Sequence, residues 1–240
     1  MELELFELMK KQEPLCEELA RRVRPVGAVA GMNMVHHPLI VDLPYFPQMN
    51  AVLNKRLQAK KDLVESYLEK GKFDAALYVY ERPYRAEMLV QMMDDYPLDR
   101  KTIARLVLGC WTDSENIWEM GDVWDYLWGD QWDLNPSDFD MMVAEKKLYA
   151  AHQKSGEPIT VYRGYGQGSH EEQSLARSWT TCPDQAQWFA DRFSGGGGTE
   201  PVVLKGQVRL KYVHAINFGR GEREIITHRG GVECIERVGV

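Results

Sequence analysis

The sequence predicts an α+β fold, with helices gathered in residues 1–155 and strands in residues 156–240. Two observations carry this. Up to about residue 155, apolar residues recur at helical spacing between Gly and Pro breaks. After Gly156 the segments shorten and fill with β-branched and aromatic residues. With 240 residues, 44% of them hydrophobic and 27% charged, the chain is globular and large enough to bury a core in one large domain or two small ones.

The elements follow in order. ELELFELMKK places Leu3, Leu5, Phe6 and Leu8 mostly on one side of a helix, which CEELARRV continues or restarts after Pro14. A Pro/Gly-punctuated connection runs from Arg24 to Pro47. Residues 48–97 read as two or more helices, with Gly71 as a C-cap and Pro83 as a break. Residues 99–131 are helical again, and residues 136–155 form a helix that starts at Pro136 or Ser137 and stops at Gly156. In the β-rich part, ITVYRGY and SLARSWTT are strands and PDQAQWFADRF is a short helix opened by Pro183. The glycines 195–198 make a flexible loop, and residues 201–218 give one strand or two. EREIITH and GVECIERV pair as a hairpin across Gly230 and Gly231.

Several function classes are disfavoured. A formal net charge of −7 argues against a broad electrostatic grip on nucleic acid. Cys16, Cys110, Cys182 and Cys234 form no CxxC and lie far apart, which speaks for a reducing cytoplasm, of the producing cell or of a host. The acidic N-terminus is no signal peptide, and no apolar run reaches the ~20 residues of a membrane span, so no membrane partner is expected. His36 and His37 are adjacent, which points them apart in a strand; with no third ligand, no metal is expected.

Three stretches carry chemistry. Arg163 follows aromatic Tyr162 and precedes Gly164; its planar fork suits phosphate oxygens, and glycine permits close approach. Alone, an arginine at a strand end paired with a surface acid is the plainer account. In RSWTT, the hydroxyls of Ser178 and Thr180 share one strand face and can orient a carboxylate. In GRGEREIITHRGG, Glu222 and Glu224 sit two apart, so a strand would point them the same way, where a solvated edge strand is the ordinary reading.

Taken in this order and spacing, Arg in YRG, then SWTT, then ExE at the head of a strand, residues 158–240 resemble the mono-ADP-ribosyltransferase superfamily, in the Arg, Ser-x-Thr, Glu-x-Glu branch that includes bacterial toxins and phage enzymes. The resemblance implies a split β-sandwich catalytic core over residues 156–240, preceded by a helical region, residues 1–155, packed on it. It implies NAD as a substrate and ADP-ribose transfer to a macromolecule, with nicotinamide released and some NAD hydrolysis alongside. Glu224 would be the catalytic carboxylate, Glu222 the acid that activates the acceptor, Arg163 the phosphate ligand, and Ser178 the hydroxyl that holds Glu224. Tyr162, Gly164, Trp179 and Thr180 would complete the NAD surface, with Phe193 stacking on nicotinamide. Trp179 departs from the Ser-Thr-Ser pattern and leaves one hydroxyl fewer. The resemblance favours a protein acceptor such as arginine, with an antitoxin or inhibitor as a further partner. The alternatives are an RNA or DNA acceptor, held through Lys205, Arg209, Lys211, Arg220, Arg223 and Arg229, or a non-catalytic binding or inhibitory protein on the same fold.

Trp111, Trp118, Trp124, Trp128 and Trp132 crowd 22 positions; a packed core is the plain expectation, and a stacking wall for NAD or a target the sharper one. Asp113 to Asn116 suit a helix cap, with a site role for Glu115 or Asn116 as the weaker alternative.

Overall fold

The computed structural model describes residues 13–27, 31–114, 117–195 and 200–238. The expected helix over residues 3–10, Glu115, Asn116, the glycines 196–198 and the side chain of Trp118 lie outside the described residues. The chain divides into two compact units, one of residues 1–98 and 106–126, the other of residues 99–105 and 127–240.

The first unit is not purely helical. After α1 (Glu17–Ala20), three short antiparallel strands form a sheet: β1 (Val23–Pro25), β2 (Asn33–His37) and β3 (Ile40–Asp42). Residues 24–47, expected as a connection, form strands because Val35 and Ile40 are wholly buried and need an apolar partner. That partner is α2 (Asn50–Glu69), whose Leu53, Leu57 and Val64 form a stripe in the same core cluster. Gly71, at φ 64°, follows the end of α2 as expected, and Pro83 sits in the turn between α3 (Phe73–Val79) and α4 (Arg85–Asp95). His37 is buried, and its Nδ1 accepts from the Leu39 N–H, so Nε2 carries the proton donated to Glu18 Oε1 at 3.0 Å. Among the described residues no group of three or more His, Cys, Asp or Glu side chains is arranged to hold a metal ion. Buried Trp111 of α5 (Arg100–Asp113) and Trp124 of α6 (Gly121–Leu127) meet edge-on at 5.0 Å. For Trp111, Trp124 and Trp128 burial agrees with the core reading, while Trp132 is only half-buried.

Besides residues 99–105, the second unit takes in everything from Leu127 onward, a wider span than residues 156–240. Buried Trp128 lies 5.5 Å from the His214 ring, and Leu148 and Tyr149 of α7 (Val143–Ser155) pack on the sheet's apolar face. These contacts give residues 127–155 to the β-rich unit. Helix α7 starts at Val143, not Pro136; residues 136–138 make only a 3₁₀ turn, capped by the Asn135 side chain. Gly156, at φ 73°, ends α7 as expected.

The strands are β4 (Ile159–Tyr165), β5 (Ser178–Thr180), β6 (Val202–Val208), β7 (Val213–Asn217), β8 (Glu224–Thr227) and β9 (Val232–Val238). They form one antiparallel sheet in the order β7-β8-β5-β4-β6-β9. It consists of two three-stranded halves joined, among the described residues, through the pair Tyr162–Thr180. SLARSWTT is only partly strand, since Ser174 closes the short helix α8 (His170–Ser174). The expected β8–β9 hairpin does not form. All four residues of β8 are buried, so it takes neighbours on both sides, β7 and β5, whereas the more exposed β9 edges the sheet beside β6.

Helix α9 (Pro183–Ser194) lies against β4, with Ala186 and Ala190 fully buried. Gly164 permits this: a Cβ there would stand 1.7 Å from the Ala186 carbonyl oxygen and 2.7 Å from the Ala190 nitrogen. Gly164→Ala should therefore destabilise the protein by about 3 kcal/mol, because rigid backbone on both elements must separate. Urea denaturation of the purified variant measures this.

His214 is also buried, with Nδ1 3.1 Å from the Leu134 carbonyl and its ring stacked on His228 at 4.0 Å. Burial, followed by His228, lowers its pKa to about 4. Folding thus favours the neutral ring. Stability is full above the ordinary value near 6.5 and falls as the unfolded chain takes up the proton below it, by about 3 kcal/mol at pH 4. Urea midpoints at pH 7.5 and pH 4.5 should show this loss, and His214→Phe should flatten it.

No helix among the described residues is long and apolar enough to cross a membrane.

Candidate active site

Adjacency of β8, β5 and β4 brings together side chains that are far apart in sequence. The register Ser178–Ile226 and Thr180–Glu224 puts Ser178, Thr180 and Glu224 on one sheet face, while Trp179 turns into the core on the other. Ser178 Oγ donates to Glu224 Oε1 at 2.6 Å, across 46 residues of chain. Glu224 is a buried carboxylate, fixed at the head of β8.

Arg163 comes from β4. Its Nε donates to Gln173 Oε1 at 3.0 Å and a terminal nitrogen donates to the Ser178 carbonyl at 2.7 Å. Both acceptors are neutral oxygens. Burial lowers the Arg163 pKa to about 10 and the charge of Glu224 opposes that shift. The guanidinium therefore stays cationic at neutral pH, and three of its five N–H groups take no partner among the described residues. Gln173 was not foreseen from the sequence. It lies in α8, a single helical turn opened by the Ser169–Glu172 capping box, and the Ser-x-x-Glu spacing of that box is the sequence signal that could have placed a helix there.

Glu222 stands differently from expectation. Strand β8 begins at Glu224, and Arg223 adopts the left-handed region at φ 51°, so strand alternation does not relate the two glutamates. Glu222 belongs to the preceding turn. Its carbonyl accepts from Thr180 Oγ1 at 2.6 Å, and the Arg223 carbonyl accepts from Thr181 N–H at 3.0 Å. The Glu222 side chain is 29% exposed and lies 3.8 Å from Arg220 Nε. Thr180 thus ties the turn down, while Ser178 holds the carboxylate beside it.

The other expected contacts divide. Trp179 is 2% exposed and donates to the Ala176 carbonyl, so its indole belongs to the core and not to a ligand surface. The close approach that Gly164 permits is to α9. Tyr162 packs partly buried against Ala186, Ala190 and Val203. Phe193 is half-exposed near the end of α9, its ring parallel to Phe189 at 6.0 Å. Of the basic residues, Lys205 pairs with Glu236, Lys211 lies over Tyr212 and Arg223 over Phe218.

The arrangement joins a fixed buried carboxylate, a cation with unused donors on the next strand but one, and a second carboxylate on a tied turn. Such a set can bind an anionic group and stabilise positive charge developing beside Glu224. Compared with protein-family models, with curated protein sequences and with solved structures, the chain finds no match in any of the three.

Proposed function

We propose that the chain is an NAD-dependent mono-ADP-ribosyltransferase that moves ADP-ribose to a macromolecular acceptor, a protein side chain such as arginine, with release of nicotinamide. The observation that carries this is the Ser178–Glu224 hydrogen bond, with Arg163 bonded to the same serine's carbonyl. In this reading the split six-stranded sheet is an ADP-ribosyltransferase-like core. Arg163 takes a phosphate of NAD with its remaining N–H groups. Glu224 faces the nicotinamide ribose; as the bond from the sugar carbon to the pyridinium nitrogen breaks, positive charge gathers on the sugar and the carboxylate stabilises it. The bonding electrons leave with nicotinamide, which departs neutral. The acceptor then adds to the sugar carbon and loses a proton, which in this reading Glu222 takes. The pairing of Lys205 with Glu236 weakens the basic patch that a nucleic-acid acceptor would use.

The separation of roles gives a test. Glu222→Gln should lower transfer of label from NAD to lysate protein about 100-fold while NAD hydrolysis stays within about threefold of wild type. Equal losses in both reactions would remove the assignment of Glu222 to the acceptor.

A further inference from the structure

The turn that carries Glu222 is held at its far end by a residue outside the three motif stretches. Glu145, in the first turn of α7, is 4% exposed although it carries a carboxylate. Its Oε2 accepts from the Met142 N–H at 2.5 Å, closing the start of its own helix. Its Oε1 accepts from the Phe218 N–H at 2.5 Å, across 73 residues of chain. Phe218 is the first residue after β7, where the turn toward β8 departs. The Phe218 carbonyl then accepts from Gly221 N–H at 2.9 Å, and Asn217 Oδ1 accepts from Gly219 N–H at 3.2 Å. The turn is therefore fixed at two points, by Glu145 at Phe218 and by Thr180 and Thr181 at Glu222 and Arg223.

We infer that Glu145 is a positioning residue: its buried carboxylate sets the turn 218–223 and so the placement of Glu222 toward the acceptor. A backbone N–H given to a buried carboxylate is a strong, directional tie, and each oxygen of Glu145 takes one. Glu224 depends less on this tie, since β5, β7 and Ser178 hold it directly. Loss of the Glu145 bond should thus reach transfer before hydrolysis. This inference rests on the proposed reading of the site for its catalytic half, and on geometry alone for its structural half.

Glu145→Gln is the test, because the amide keeps the shape but turns an NH₂ toward one of the two N–H donors. Backbone hydrogen exchange at residues 218–221 should quicken about tenfold, the factor that goes with a lost bond to a charged group. The ratio of ADP-ribose transfer to NAD hydrolysis should fall about tenfold or more, with hydrolysis nearly unchanged, because small misplacements of a reacting group are costly. If the glutamine variant fails to fold, Glu145→Asp, which withdraws the carboxylate by one methylene, takes the same two readings. Exchange and ratio both at wild-type values would overturn the inference, as would equal loss of transfer and hydrolysis. A wild-type protein that cleaves no NAD would overturn the catalytic half together with the reading of the site, and the exchange measurement would then still decide whether Glu145 anchors the turn.

Discussion

Glu224→Gln should cut NAD cleavage about 10³-fold and transfer with it, while leaving the fold intact. The fold should survive because glutamine keeps an oxygen for the Ser178 hydroxyl, which donates to Oε1 at 2.6 Å. What is lost is the negative charge, the property that stabilises a positive sugar carbon. Steady-state nicotinamide release gives the rate, and a urea midpoint close to wild type shows that the loss is chemical. A variant that keeps normal turnover would remove Glu224 from the catalytic role.

Arg163→Lys should weaken NAD binding about 100-fold with a smaller effect on turnover of bound NAD. The guanidinium holds Gln173 and the Ser178 carbonyl with two of its N–H groups, and the other three have no partner among the described residues. A lysine ammonium is a point donor without the planar fork, so it cannot satisfy both anchors and present a bidentate face to an anion. Losing one or two bonds to a charged group corresponds to a loss of this size. Titration calorimetry with NAD, using the Glu224→Gln background to prevent turnover, measures it. Unchanged affinity in the lysine variant would show that Arg163 holds only Gln173 and Ser178.

The sequence revealed the parts of the site that depend on alternation and composition. ITVYRGY and PDQAQWFADRF take up the strand and the helix expected of them, and Ser178 and Thr180 share a face because two residues on any strand do. It revealed less where long-range packing decides. Residues 224–227 and 232–238 look like a hairpin locally, but full burial of the first drives it between β5 and β7. Glu222 and Glu224 look like partners on one strand, but Arg223 breaks the strand at φ 51°. Gly164 reads as an opening for a ligand, whereas the space beside it is filled by α9. Glu145 and Gln173 escape a sequence reading altogether, since each acts on a segment that only the fold brings near. The strands of the first unit were hidden in a stretch whose prolines and glycines read as a connection.

In the proposed reading, NAD is the substrate that the carboxylate held by Ser178 acts on. Release of free nicotinamide from NAD by the purified wild-type protein, followed by chromatography beside Glu224→Gln, decides this. Steady release by wild type and release at the spontaneous rate with the variant are expected. No release above the spontaneous rate by wild type, or equal release by both proteins, would rule out NAD cleavage by Glu224.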